Sequence, residues 1–469
     1  MTSRNSHRVQ KSTGRRVLGV LSWLTVLALL AGALAGGVVL HERGSLNDFL
    51  CGGDCGDQYV AVPEALEVLE PGDQTVSGLP PASADVAAVT AAVQSAAGQP
   101  LLGPHVGVSV RELDGDELLM TSPDAFIPAS TTKLLTGYAA LTTLDPEERF
   151  RTTTVLDGDR LVLVGGGDPY LMATPADRGF AARADLATLA DRTAKALVEK
   201  GMSQVQLAYD DTLFTGPADN PTWEPTYASQ NQVSPITALW VDRGRIDKRR
   251  VEDPSGSATK IFAAQLVERG VAVVEVQPGQ APVDAEPVAQ VEGPTVAQAV
   301  ERMAVTSDNG AAEVLARHVA LGAGAEPSFE GATTSVVAAL VAGGVDTTGL
   351  VLRDGSGLSR QNRIAPSTLT SVVAAAELAA PQLTGDLPVA GFTGTLVERF
   401  VNLPGRGLAR VKTGALNQVH SLAGTVTTAD GVVLSVAVMV DQADVTRALD
   451  AREAVDAVVA SLATCSCAT

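Results

Sequence analysis

The sequence predicts an α/β (α+β) protein in which one domain is assembled from two separated stretches and interrupted by an inserted α+β domain. Three observations predict it. Helical periodicity governs the run after Pro128 and the chain from Thr295 onward, whereas short strand-like runs dominate between Phe150 and Pro282. Near the C-terminus, residues 421–427 and 432–440 alternate as strands about a turn at Ala429-Asp430-Gly431. An amphipathic helical pattern, 445–462, follows and completes a domain begun far upstream.

Taken in order, residues 1–16 carry Arg4, Arg8, Lys11, Arg15 and Arg16 and no acid. Val17 to Leu40 is then free of charge for 24 residues, roughly 36 Å of helix, enough to cross a bilayer with tilt. Basic residues on the N-terminal side hold that end in the cytoplasm and export the rest. The competing reading is a signal peptide cleaved near Ala33-Leu34-Ala35. Residues 1–41 are thus expected to be a tail with an anchor or signal, and 42–82, rich in Gly, Pro and acids, a stalk. Residues 83–149 and 285–465 form the split domain and 150–284 the insert.

The net charge is −19, and beyond residue 41 there are 29 bases against 53 acids, or −24. An acidic exterior excludes nucleic acid as a partner, since that demands basic grooves. Cys51/Cys55 and Cys465/Cys467 lie near the two ends of the exported part, where thiols oxidise. Three connectivities are open, with bridges between the two ends and a local Cys51–Cys55 pair as the leading options. No histidine has ligand spacing to either pair, so no metal and no cofactor are expected.

Within the split domain, Ser83 is expected to cap a helix with Val86, Val89 and Val93 at helical spacing. Val106, Val108 and Val110 alternate, Asp114-Gly115 is a hairpin turn, and 117–120 returns. In the insert, 152–156, 160–164 and 205–209 read as strands and 186–199 as a helix, with Gly165-Gly166-Gly167-Asp168-Pro169 a turn. Helices follow over 296–305, 310–320, 334–342 and 368–378.

Three short segments carry chemistry. Ser130-Thr131-Thr132-Lys133 follows Pro128 and opens an apolar helix, so Ser130 and Lys133 face each other one turn apart. Burial lowers a lysine pKa, giving a neutral amine able to take the proton of a hydroxyl nucleophile. Ser257-Ala258-Thr259-Lys260 repeats the spacing, with Ser257 read as a helix N-cap. Ser307-Asp308-Asn309 lies between two helices, and Lys412-Thr413-Gly414 ends a strand-like run, 408–411. Ser229-Gln230-Asn231 is read as a polar loop. A serine–histidine–aspartate triad would need His105, His318 or His420; His318 reads as structural, and His420, eight residues after Lys412, is near the site in sequence but is not read as lining the pocket. Asp354, Ser356 and Arg360 read as a structural turn beneath it.

The ordered set Ser-x-x-Lys, Ser-x-Asn, Lys-Thr-Gly is the penicilloyl serine transferase signature. With Leu163-Val164-Gly165-Gly166-Gly167-Asp168-Pro169, 233–239 and 354–363, it resembles the class C low-molecular-mass penicillin-binding proteins, the D-alanyl-D-alanine carboxypeptidase/endopeptidase group. The resemblance runs from about residue 83 to 462, and the 177-residue separation of Ser130 and Ser307 matches that group's long insertion. It implies a β-lactamase/DD-peptidase-like domain acting on peptidoglycan stem peptides at the cell envelope, with β-lactams as covalent inhibitors. It also implies catalytic Ser130, Lys133, Ser307, Asn309 and Lys412, with Thr413 and Lys412 on the terminal carboxylate. The oxyanion falls to the N–H groups of Ser130 and Ala415, just after Gly414. Two other functions stay open: a β-lactamase or esterase on the same fold, and a non-catalytic wall-binding or β-lactam-sensing module.

Overall fold

The computed structural model describes residues 83–175 and 183–469. The span expected at 17–40, the stalk and the Cys51/Cys55 pair lie outside them. Among the described residues, no helix is long and apolar enough to cross a membrane.

The two expected hairpins share one sheet. Strands β1 (Val106–Glu112), β2 (Glu117–Met120), β10 (Ala409–Leu416), β11 (Val419–Thr427) and β12 (Val433–Val440) run in the order β10-β11-β12-β1-β2. Every neighbour is antiparallel, and the N- and C-terminal pieces are joined where Val106 faces Val440 and Glu112 faces Leu434. Period-two alternation sends Leu434, Val436, Val438 and Val440 to one face. There they pack with Val89 and Val93 of α1 (Val86–Ala97) and Val455 and Val459 of α10 (Ala448–Ala463). Ala437 and Met439 face the other side, against Leu134, Leu135, Met303 and Leu369 of the helical layer. Each such buried Val or Leu contributes about 1.5–3 kcal/mol.

The helical layer comprises α2 (Thr132–Thr143), α5 (Val296–Thr306), α6 (Asn309–Gly322), α7 (Phe329–Ala342), α8 (Pro366–Ala379) and the short α9 (Pro381–Gly385). Between α2 and α5 the chain builds a second sheet. Its strands β3 (Arg149–Asp157), β4 (Arg160–Val164), β5 (Gln204–Asp210), β8 (Ala272–Pro278) and β9 (Glu286–Thr295) run in the order β8-β5-β4-β3-β9. β4, β5 and β8 are parallel, so helical crossovers are required. These are α3 (Leu186–Glu199) and α4 (Pro254–Glu268), whose Leu189, Leu197, Phe262 and Leu266 cover the sheet.

Several expectations are corrected. Strand β9, which the expected border at 284/285 gives to the split domain, pairs with β3, so the second sheet runs to Thr295. Its alternation is broken by Pro287 and Gly293, which hid it. Asp85, not Ser83, caps α1, and Asp253, not Ser257, caps α4, because carboxylates there accept the first N–H groups. Cys465 is bonded to Cys467, whose Cα atoms are 5.2 Å apart, within disulfide reach. The two ends of the described domain do meet, but through backbone hydrogen bonds: Asp85 N donates to the Cys467 carbonyl at 2.7 Å and Thr469 N to that of Ser83 at 2.8 Å.

Candidate active site

Ser130 lies in a single 3₁₀ turn, Ala129–Thr131, that runs into α2. Ala129 has φ of 48°, and three hydroxyls pin the turn. Thr131 and Ser421 each donate to the Pro128 carbonyl at 2.7 Å, and Thr132 donates to that of Ala129 at 2.9 Å. No side chain caps this helix start, so the Ser130 hydroxyl is left for other chemistry. Helix α2 is buried from Thr132 to Leu141, which places Lys133 in the protein interior. Its Nζ donates to Ser130 Oγ at 3.0 Å, to Asn309 Oδ1 at 2.8 Å and to the Ser356 carbonyl at 2.7 Å.

The second segment is bent by Ser307, which ends α5 in the left-handed region at φ 56°. Asp308 then caps α6 by accepting from Ala311 N at 3.1 Å, and its other oxygen accepts from Arg243 at 2.9 Å. Asn309 Nδ2 donates to the Gln232 carbonyl at 3.1 Å. The third segment is β10, the edge strand. Lys412 Nζ donates to Ser307 Oγ at 2.8 Å and to the Thr413 carbonyl at 3.0 Å. Thr413 Oγ1 is 2.9 Å from Thr395 Oγ1. Val411 N bonds the Pro388 carbonyl on the side away from β11. Antiparallel alternation therefore turns the Ala415 N–H outward too, along the free edge. Gly414 brings this strand against the nucleophile turn, since a Cβ there would lie 3.2 Å from Ser130 N.

All three segments thus converge. Ser130, Ser307 and Asn309 are half-buried and Ala415 is exposed, while Lys133 and Lys412 are 1% and 0% exposed. Burial lowers the Lys133 pKa to about 8, against the pull of Asp354, Glu313 and Asp308. Burial, with Lys133 and Arg399 nearby, holds Lys412 well below the ordinary lysine range. Ser257 and Lys260 make no such pair: Ser257 sits inside α4 and Lys260 is exposed.

The turn at 354–360 is structural, as its composition suggested. Asp354 accepts from Gly357 N, Ser359 N and Asn362 Nδ2 at 2.9, 2.7 and 2.7 Å. Arg360 ties the turn to the Asn417 carbonyl at 3.0 Å. Four partners escaped the sequence reading: Glu313, Trp223, Gln232 and Thr395. Glu313 accepts from Gly355 N at 3.1 Å and Ser356 N at 2.8 Å, aiming the Ser356 carbonyl at Lys133. Its pKa is raised to about 7 by burial and Asp354. Its position four residues after Asn309, on the same helix face, was the available signal. Trp223 Nε1 donates to Asp354 at 2.8 Å from a distant loop, which no local pattern announces.

Among the described residues, no histidine is hydrogen-bonded to the Ser130 hydroxyl. His318 contacts the Gly167 carbonyl at 3.0 Å, and burial lowers its pKa to about 4. His105 bonds Asp441 at 2.5 Å and stacks on Phe126. His420 faces Ala415 across the β10–β11 ladder and is buried.

Comparisons with known proteins show which family the chain is similar to. The model of the D-Ala-D-Ala carboxypeptidase 3 (S13) family matches residues 89–249 and 247–463. A carboxypeptidase of Mycobacterium tuberculosis is 34% identical over 408 residues, covering 83% of this chain and 86% of the relative. Carboxypeptidase DacB of Mycolicibacterium smegmatis is 35% identical over 358 residues, covering 72% and 76%. Penicillin-binding protein 4 of Haemophilus influenzae shares the fold, with a TM-score of 0.65 at 21% identity over 79% of this chain and 98% of that one. The chain therefore belongs to the D-Ala-D-Ala carboxypeptidase 3 (S13) family, the class C low-molecular-mass penicillin-binding proteins.

Proposed function

We infer that this serine-type D-Ala-D-Ala carboxypeptidase removes the terminal D-alanine of peptidoglycan stem peptides through an acyl-enzyme on Ser130. The observation that carries the reading is the buried Lys133 amine, 3.0 Å from the Ser130 hydroxyl and with a pKa of about 8. Neutral Lys133 takes the proton as Ser130 Oγ bonds to the penultimate carbonyl carbon. The N–H groups of Ser130 and Ala415 hold the oxyanion. The C–N bond then breaks and Ser307, backed by Lys412, passes its proton to the leaving amine and regains one from protonated Lys133, which is neutral again. Water then attacks the ester as Lys133 takes its proton, the ester C–O bond to Ser130 breaks, and that proton returns to Ser130 Oγ as the shortened peptide leaves. Thr413 and Lys412 receive the terminal carboxylate, and Asn309 orients both the peptide amide and Lys133.

The same attack opens a β-lactam ring and leaves a penicilloyl ester on Ser130. The work is placed at the cell envelope. There residues 17–40 serve as anchor or signal, and the second sheet serves as an insert in the catalytic domain. Incubation with purified stem peptides releases free D-alanine, read by mass; Ser130→Ala protein releases none. Equal release by both proteins contradicts the reading.

The pKa of Lys133 sets the direction of the pH dependence. Its neutral fraction grows as pH rises through about 8. The rate of acylation by penicillin therefore climbs from pH 6 to pH 9, about tenfold per unit at the acid end. A rate that is flat or falling across this range in stopped-flow measurements contradicts Lys133 as the base.

A further inference from the structure

The segment that leads into the nucleophile turn is held at each of its three residues. Phe126 and Ile364 exchange two backbone hydrogen bonds, Phe126 N to the Ile364 carbonyl at 2.9 Å and the reverse at 3.0 Å. The Pro128 carbonyl accepts from Thr131 and Ser421. Between them, Ile127 N donates to Oδ2 of Asp441, the residue that follows β12, at 3.0 Å. Ala129, in the left-handed region, comes next, and strain of that kind persists only where the surroundings impose it.

Asp441 is itself held by His105, the residue before β1, where β1 and β12 pair through Val106 and Val440. His105 Nδ1 lies 2.5 Å from Asp441 Oδ1. A carboxylate only accepts, so Nδ1 carries the proton and donates. The imidazole stacks on Phe126, with ring centroids 4.0 Å apart and planes 18° apart, and its Nε2 faces Asp124 at 3.8 Å. Phe126 is fully buried and lies so close to Gly107 that a Cβ there would fall 2.6 Å from its ring. The chain after Asp441 reaches the other half of the site. Ala443 N donates at 3.0 Å to the carbonyl of Gln418, in the turn that ends β10 just past Ala415. One short stretch, 441–443, thus touches both the lead-in to Ser130 and the turn beyond Ala415.

We propose that His105 and Asp441 are a positioning pair for acylation: the His105 N–H holds the Asp441 carboxylate on the Ile127 N–H and so sets the Ser130 turn against the Ala415 edge. The proposal rests on the acyl-enzyme reading of Ser130. Neither side chain takes part in the chemistry; the pair acts through the backbone that carries the nucleophile. A hydrogen bond to an ionised acceptor is shorter and stronger than a neutral one, which suits the pair to this hold. Its effect falls on the rate of bond formation and not on binding, because displacement of reacting atoms lowers rate steeply.

Stopped-flow acylation over a range of penicillin concentrations separates the limiting rate from the half-saturating concentration. His105→Phe keeps an aromatic ring on Phe126 and removes the donor. Its limiting rate is expected to fall about tenfold to a hundredfold, with the half-saturating concentration within about twofold of wild type. His105→Asn restores most of the rate, since Asn Nδ2 stands as many bonds from the backbone as His Nδ1. Asp441→Asn, which has one acceptor oxygen for two donors, loses about as much as His105→Phe and serves as the reading should that variant fail to fold. The double variant loses no more than either single one. Retained rate in His105→Phe, a loss that His105→Asn does not repair, fully additive losses, or a fall of rate and affinity together overturns the proposal. Hydrogen exchange reads the pair without chemistry: residues 126–130 are expected to exchange about tenfold faster in His105→Phe than in wild type or His105→Asn. Equal protection in all three proteins overturns the proposal. Absence of acylation in the wild type contradicts the acyl-enzyme reading instead, and the exchange result then decides whether the pair holds the turn.

Discussion

Replacing Lys133 with alanine reduces the rate at which penicillin acylates Ser130 by about 10²–10⁴-fold, the contribution of a positioned general base. The same loss is expected for Lys133→Arg. Arginine keeps the positive charge but does not release its proton at working pH, so it fails as a base. The pair of variants separates proton transfer from simple charge. Both also lose the rise in rate through about pH 8 that the lowered lysine pKa produces. Stopped-flow acylation reads both effects. A Lys133→Arg rate within a few-fold of wild type would mean that the amine acts through its charge alone.

Gly414→Ala is expected to lower turnover by about 10²-fold, the cost of a misplacement on the order of 1 Å at reacting groups. A Cβ at this position falls 2.1 Å from Ser421 Oγ, 2.6 Å from the Pro128 carbonyl and 3.2 Å from Ser130 N. The Ser421 hydroxyl can swing away only by giving up its bond to the Pro128 carbonyl. The other two atoms belong to the backbone that carries the nucleophile. Either β10 retreats, withdrawing the Ala415 N–H from the oxyanion, or the Ser130 turn shifts. Overpacking of this kind costs about 1–3 kcal/mol. Peptide turnover and the denaturant midpoint measure the two consequences. Unchanged turnover in a folded Gly414→Ala protein would show that the strand and the nucleophile turn need not lie this close.

The long helices and the β1–β2 and β11–β12 hairpins were legible because their signals are local. Val89 and Val93 recur at helical spacing, and Leu434 to Val440 alternates, as one-sided burial requires. The three motifs were legible because lysine is scarce, with 7 in the chain, and Lys412 is the one that heads a Lys-Thr-Gly. What stayed hidden is what depends on distance along the chain. Trp223 reaches Asp354 across 131 positions and Gln232 reaches Asn309 across 77, contacts that only the fold creates. Ser257 illustrates the converse. Its spacing to Lys260 equals that of Ser130 to Lys133, yet Asp253 caps its helix and Lys260 is exposed. Spacing alone names a face of a helix; burial and the partner segments decide whether that face does chemistry.

The central claim is that Ser130 becomes covalently acylated with Lys133 as its base. Intact-mass measurement after incubation with penicillin tests it most directly. The wild-type protein is expected to gain the mass of one penicillin, localised to Ser130 by peptide mapping, and Ser130→Ala protein to gain none. No adduct on the wild type, or an equal adduct on Ser130→Ala, contradicts the account.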